Sequence, residues 1–256
     1  MTQRSLNVLI TGAGSGLGRG LAVSMSANGH RVFVTDQFAE RAGETLALLG
    51  SGAASSSHAL DVTSDESIQT LLRELDGRRI DVLINNAGLQ HVARLEEFPQ
   101  DRWNLLIDVM LKGTCRMSRA VLPVMRRNGF GRIVNIGSIH SLVASSFKTA
   151  YVAAKHGLVG FSKVLALETA DVDITVNTIC PSYIRTPLVD AQIEAQARVH
   201  GISQQEVIDQ IMLKPMPKHR FITVEEIAAT VEFLAGDAAR NITGQCIVID
   251  GGWTIQ

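Results

Sequence analysis

Asn7-Val-Leu-Ile-Thr-Gly-Ala-Gly-Ser-Gly-Leu-Gly18 decides the fold of this chain. Its first five residues, Asn7–Thr11, read as a short apolar strand, and glycines at 12, 14, 16 and 18 make the turn that follows. A helical stretch then runs to about Asn28, Gly29 stops it, and a second strand, Arg31–Thr35, ends in Asp36. Strand, glycine turn, helix, strand and acid form a βαβ nucleotide unit. The glycines let backbone N–H groups approach a pyrophosphate, and the helix N-terminus favours its negative charge. A carboxylate at the end of the second strand can accept hydrogen bonds from both adenosine ribose hydroxyls and would repel a 2′-phosphate. No Arg or Lys sits in the glycine turn, where Ser15 precedes Gly16, or just after Asp36, where Gln37 and Phe38 follow, so NAD is expected over NADP.

The same alternation continues outward from this unit. Glu40–Leu49 reads as a helix, Ser57–Leu60 as a strand running into Asp61-Val62, and Ser64–Asp76 as a helix with Ser64 as its N-cap. Asp81–Ile84 is an apolar strand leading into Asn85-Asn86-Ala87-Gly88, whose small residues leave room for a flat ring or a ribose. Trp103–Asn128 is helical, with interruptions expected near Lys112-Gly113-Thr114 and at Pro123. Gly131–Ser138 reads as a buried strand, Ala150–Ala170 as a helix, and Ile174–Cys180 as a strand before Pro181. Two helical runs, Leu188–His200 and Ser203–Met212, and the proline-rich Lys214–Lys218 depart from the alternation. They are expected to form a lid over about 187–220 rather than a separate domain. Val224–Leu234 and Gln245–Asp250 supply the last helix and strand. Seven strands alternating with helices predict one α/β domain over 1–256, a Rossmann fold with a doubly wound parallel sheet.

Composition bounds the partners. Apolar residues make up 46% of 256, enough for a core on both faces of a sheet, and the net charge is −1. A near-neutral chain without a Lys/Arg cluster argues against nucleic acid or an anionic membrane as partner. Cys115, Cys180 and Cys246 are scattered and odd in number, which indicates neither a disulfide framework nor a metal site. Met1–Leu6 carries no apolar core of a signal peptide, and no apolar run reaches membrane-spanning length, so a cytoplasmic location is expected.

The chemistry centres on Tyr151-Val-Ala-Ala-Lys155. On a helix these are an i, i+4 pair leaving one face about 6 Å apart. A phenol titrates near 10, and a nearby ammonium is expected to lower that value toward the range useful to a general acid–base. Ser138, at the end of its strand, delivers a hydroxyl to the same end of the sheet, where ligands of parallel α/β folds bind.

Thr11-Gly-x-x-x-Gly16-x-Gly18, Asn85-Asn-Ala-Gly88, Ser138, Tyr151-x-x-x-Lys155 and Pro181…Thr186, in this order and spacing, resemble the short-chain dehydrogenase/reductase family over essentially the whole chain. The resemblance implies a homotetramer that transfers hydride between NAD(P) and an alcohol or ketone. It implies Tyr151 as acid–base, Lys155 as its partner and a ligand of the nicotinamide ribose, and Ser138 as holder of the substrate oxygen. The cofactor-contacting set it implies is Gly12, Ser15, Gly16, Leu17, Gly18, Asp36, Asp61, Val62, Asn86, Ala87, Gly88, Tyr151, Lys155, Pro181, Ile184 and Thr186. Within the family, Gln90-His91-Val92, Ser138-Ile-His140, Lys148, Arg185-Thr-Pro-Leu-Val189, Gln192 and Asp250-Gly-Gly-Trp253 are similar to the branch acting on D-3-hydroxybutyrate. There the positions matching Gln90, His140, Lys148 and Gln192 bind the substrate carboxylate, beside Ser138 and Tyr151. One cation, one imidazole and two amides suit a small carboxylate.

Three positions depart from the pattern. Met110 stands where the family has an asparagine whose amide holds a proton-relaying water, and a thioether cannot hold that water usefully. Ser182 replaces a glycine, and Tyr183 a tryptophan, which predicts a reshaped and more polar pocket. A slowed relay is expected, with another secondary alcohol, a 3-oxoacyl or a sugar-type substrate as the alternative specificity. A nucleotide-binding member without turnover is the second alternative, resting on Met110 alone.

Overall fold

A computed structural model describes residues 4–50 and 54–255. Its strands are β1 (Asn7–Ile10), β2 (Arg31–Asp36), β3 (Ser56–Ala59), β4 (Val82–Asn85), β5 (Phe130–Ile136), β6 (Asp173–Pro181) and β7 (Cys246–Ile249). They form one sheet in the order β3-β2-β1-β4-β5-β6-β7, every pairing parallel. The chain therefore winds outward from β1 to β3 and then returns to lay β4 on the other flank of β1, with Ile10 opposite Ile84. That reversal is the topological switch point, and it opens a crevice beyond the carboxyl ends of β1 and β4.

The helices are α1 (Gly16–Ala27), α2 (Ala39–Ala47), α3 (Asp65–Glu74), α4 (Gln100–Ile107), α5 (Gly113–Asn128), α6 (Thr149–Glu168), α7 (Pro187–His200), α8 (Gln204–Val207) and α9 (Val224–Ala235). Both faces of the sheet are covered, which is why its central strands are continuously apolar rather than alternating. Val8 and Ile10 pack into one layer with Leu21, Met25 and Val231, while Leu9 points to the other with Leu71, Met117 and Leu165.

Local chemistry sets the helix ends. Ser64 caps α3, its hydroxyl accepting from Ser67 N at 3.1 Å, as its position predicts. Thr223 and Glu226 form a reciprocal capping box on α9. Pro123 corrects the reading of an interruption, since α5 passes through it unbroken. Burial of Val121 and Met125 on either side offsets the one backbone bond that proline removes. The interruption expected near Lys112 is a π-turn at Asp108–Lys112 that bulges the helix without breaking it.

The switch point is latched by side chains. Thr11 Oγ1 accepts from the backbone N–H groups of Asn86 and Ala87, each at 3.0 Å. Asn86 Nδ2 donates in return to the carbonyls of Thr11 (2.9 Å) and Gly12 (3.0 Å). A second buried network joins Asn85 to Asn135 (2.8 Å), Asn135 to Ser162 (2.8 Å) and Thr178 to Ser162 (2.9 Å). Ser162 lies seven residues beyond Lys155 and eleven beyond Tyr151, on the same face of α6, so these bonds fix the rotation of the helix that carries both.

Replacing Thr11 by Val keeps the side chain's shape but leaves two N–H groups unpaired. Urea unfolding of Thr11→Val is expected to show a loss of about 1–3 kcal/mol, against little change for Thr149→Val at an exposed position.

Candidate active site

A cavity of about 660 Å³ lies in that crevice, and its walls come from the segment following each of the first six strands. The glycine turn follows β1, Asp36 ends β2, Asp61 and Val62 follow β3, and Asn86–Gln90 follow β4. Ser138–His140 follow β5, and Pro181–Thr186 close β6 and its exit. The structure thus brings together every residue expected from the sequence to touch cofactor or substrate. Residues 187–220, expected as a lid, hold α7 and α8, and Val189 and Gln192 of α7 line the cavity.

The cofactor half is a cradle that side chains would fill. A Cβ on Gly12, at φ +63°, would lie 2.8 Å from Ala87 Cα, and one on Gly18 would strike the Gly12 carbonyl and the Asn86 amide. Asp36 is held ready at the far end, its Oδ2 accepting from Gly14 N and its Oδ1 from Phe38 N, both at 3.1 Å. Asp61 is oriented by Thr63, whose N–H and hydroxyl both donate to Oδ1. Backbone-lined concavity, a helix N-terminus and a ribose-facing carboxylate fit a dinucleotide. Arg41 also lines the cavity, with its guanidinium 4.7 Å from the Phe38 ring centroid. Arg41 does not adjoin Asp36 in the chain, and one turn into α2 is enough to bring it back to the cavity.

At the other end stand Ser138, Tyr151 and Lys155. Lys155 Nζ donates to the Ile136 carbonyl at 2.6 Å and lies 5.6 Å from the Tyr151 ring centroid. The expected lowering of the phenol's pKa is not what the free protein shows. Burial raises it, against the lowering hydrogen bond from Ser138. Burial likewise lowers the Lys155 ammonium to about 8. Each group resists becoming charged alone.

The substrate end carries an enclosed cation. Lys148 is 9% exposed, its ammonium sits 5.7 Å from the Tyr183 ring centroid, and burial lowers its pKa. No carboxylate pairs with it among the described residues. Gln90 has its amide oxygen buried without a donor. His140 has both ring nitrogens engaged, Nδ1 with Ser138 Oγ at 3.3 Å and Nε2 with Ser145 Oγ at 2.7 Å. Trp253 closes this end, its ring 5.8 Å from that of Tyr183 and edge-on to His140 at 6.2 Å. It was missed as a wall of the site. The turn that aims it is nonetheless readable in Asp250-Gly-Gly-Trp, because the Asp250 carboxylate accepts from Gly252 N and Thr254 N, both at 2.8 Å.

Met110 is 1% exposed and packs with Leu106, Ala150 and Ala154 against Tyr151. Its carbonyl, within the π-turn, accepts from Thr114 Oγ1 at 2.9 Å. Asp108, two residues earlier, turns to Lys112 at 2.7 Å.

Residues 12–254 match a short-chain dehydrogenase family profile described as enoyl-(acyl carrier protein) reductase. The chain belongs to the short-chain dehydrogenase/reductase family. It is 42% identical over 253 residues to a D-beta-hydroxybutyrate dehydrogenase of Rhizobium meliloti, covering 97% of this chain and 98% of the relative. A D-beta-hydroxybutyrate dehydrogenase of Cupriavidus necator is 41% identical over 97% of both chains. The 3-oxoacyl-[acyl-carrier-protein] reductase of Escherichia coli is more distant, at 34% over 95% of each. As a member of this family the chain is an oxidoreductase, a class that uses nicotinamide cofactors. No described helix is long and apolar enough to cross a membrane.

The buried lysine of this short-chain dehydrogenase has a pH signature. Between about 8 and 10.5 the unfolded chain holds a proton that folded Lys155 has released, so burial destabilises the fold below pH 8 and the penalty is relieved as pH rises. Lys155→Met is expected to be more stable than the parent at pH 7, by on the order of 3 kcal/mol. Denaturant unfolding at pH 7, 8, 9 and 10 should show that difference shrinking with pH.

Proposed function

We propose that this protein is an NAD-dependent dehydrogenase that interconverts D-3-hydroxybutyrate and its 3-keto acid. The observation that carries the substrate class is the Lys148 ammonium, enclosed with Tyr151 and Ser138 in one cavity and without a carboxylate partner among the described residues. A buried cation without a partner costs stability and is relieved by an anionic ligand. Gln90 and Gln192 line the same space, and a flip of the Gln90 amide turns its unpaired oxygen position into a donor. The clamp is therefore assigned to Lys148, Gln90 and Gln192. The names of the relatives at 41–42% identity support the same reading.

NAD, when bound along the cradle, supplies the hydride acceptor. Gly12, Ser15, Gly16, Leu17 and Gly18 would hold its pyrophosphate side, Asp36 a ribose, and Asp61 and Val62 the adenine. Asn86, Ala87, Gly88, Lys155, Pro181, Ile184 and Thr186 would hold the nicotinamide half. Ser138 donates to the substrate oxygen and fixes it beside Tyr151. Tyr151, as phenolate, takes the hydroxyl proton. Lys155 keeps its ammonium beside that phenolate, and the pair forms together what burial denies to either group alone. Tyr183, Trp253 and Val189 surround the carbon end and exclude water. Asp36 supports NAD over NADP, with Arg41 as the group that NADP would use. Val164 and Leu167, 55% and 78% exposed on α6, support a homotetramer, and a cytoplasmic location fits this reading.

Nicotinamide reduction should be followed with D-3-hydroxybutyrate, its L enantiomer and 2-butanol, each with NAD and NADP. Turnover of the D acid with NAD is expected, and Lys148→Ala should lower kcat/KM by about 10- to 100-fold through KM. Oxidation of 2-butanol with the acid untouched would remove the hydroxybutyrate assignment, and equal rates with NADP would remove the cofactor assignment. Met110→Asn is expected to raise kcat severalfold over an exposed control substitution, and no gain would show that the missing amide does not limit turnover.

A further inference from the structure

Two of the three groups assigned to the carboxylate clamp sit on segments that meet at one backbone hydrogen bond. Gln90 belongs to the segment after β4, and Lys148 immediately precedes α6. Ala93 N, three residues beyond Gln90, donates to the Phe147 carbonyl at 3.0 Å, one residue before Lys148. Phe147 makes that bond from a left-handed conformation, with φ +67°. Glycines apart, the other described residues with positive φ are Asp76 and His219. Those types tolerate it, whereas a bulky aromatic rarely does. Such a conformation persists only where its surroundings impose it. Here the Ala93 bond holds the carbonyl, and the Arg94 guanidinium lies over the ring, 5.3 Å from its centroid.

Neither Phe147 nor Arg94 lines the cavity, so the strained backbone serves no direct contact with a ligand. Its effect falls on the next residue. Lys148 has no carboxylate partner among the described residues, so its ammonium is located by where its stem starts and by the Tyr183 ring. We propose that Phe147 is a positioning residue: its left-handed backbone, fastened to Ala93, directs Lys148 into the cavity and sets its separation from Gln90. With φ in the ordinary negative range the chain would leave Phe147 in another direction. The Ala93 bond would be lost, and Lys148 would start from a different place. A long flexible stem loses rotamer freedom when its ammonium is held. A backbone that already aims it inward reduces that loss when an anion binds. The fastening thus joins two arms of the clamp, one from each loop, into a single preorganised unit.

This positioning role rests on the hydroxy-acid reading above, and one of its tests does not. Phe147→Asn and Phe147→Val both remove the ring and its contact with Arg94. They differ in the backbone, because asparagine tolerates positive φ and β-branched valine does not. With D-3-hydroxybutyrate and NAD, Phe147→Val should raise KM roughly tenfold with kcat unchanged, whereas Phe147→Asn should stay within about twofold of the parent. In a Lys148→Ala background, Phe147→Val should change KM no further, as expected of a residue that acts through that side chain. Equal KM values for the two variants, or an undiminished effect of Phe147→Val in the Lys148→Ala background, would overturn the positioning role. In the free protein, hydrogen exchange should show the Ala93 amide protected in the parent and in Phe147→Asn, and released in Phe147→Val. An unprotected Ala93 amide in the parent would overturn the fastening whatever the substrate. A parent that leaves the acid untouched would remove the hydroxy-acid reading and leave the amide exchange to decide the fastening.

Discussion

The contact on which the rest of this structure depends is the latch between Thr11 and Asn86. Beyond the parallel neighbours β1 and β4 the chain turns to opposite flanks of the sheet, and a hydroxyl and an amide fasten the two strand ends with four hydrogen bonds of 2.9–3.0 Å. The latch stands at the switch point, so it holds the glycine turn against Ala87 and sets the depth of the cradle. A side chain at Gly18 would occupy the space of the Asn86 amide itself. The requirement for glycine there is thus a requirement of the latch as much as of any ligand.

The reacting end is built on the opposite principle, that of groups held in forms they resist. Burial raises the Tyr151 phenol and lowers the Lys155 and Lys148 ammoniums. Folding bears this cost because the apolar layers on both faces of the sheet are extensive and the Asn85–Asn135–Ser162–Thr178 network leaves α6 no freedom to turn its polar face outward. A site strained in this way gains stability when it meets a partner of the right charge, which links the energetics of the fold to its specificity.

Much of this was legible in the residues. The βαβ signature, the Ser64 cap and the spacing of Tyr151 and Lys155 are short-range patterns whose physics acts within one or two turns, and they appear in the structure where the sequence places them. Less local properties were not legible. Pro123 reads as a break until its buried neighbours are known. Arg41 lies clear of Asp36 in the chain and shares a cavity with it in space. The scattered Cys180 and Cys246 come to lie on neighbouring paired strands, β6 and β7.

The sequence by itself determined the order of elements, the doubly wound sheet and the identity of the groups gathered at its carboxyl edge. Alternating periodicity and glycine spacing are local, and the switch point follows from them. The tertiary structure alone decided the electrostatic state of those groups: the phenol raised rather than lowered, Lys148 enclosed without a carboxylate, and His140 joined at both nitrogens between two serines. Desolvation and hydrogen-bond direction depend on what surrounds a side chain in three dimensions, and no spacing along the chain encodes that.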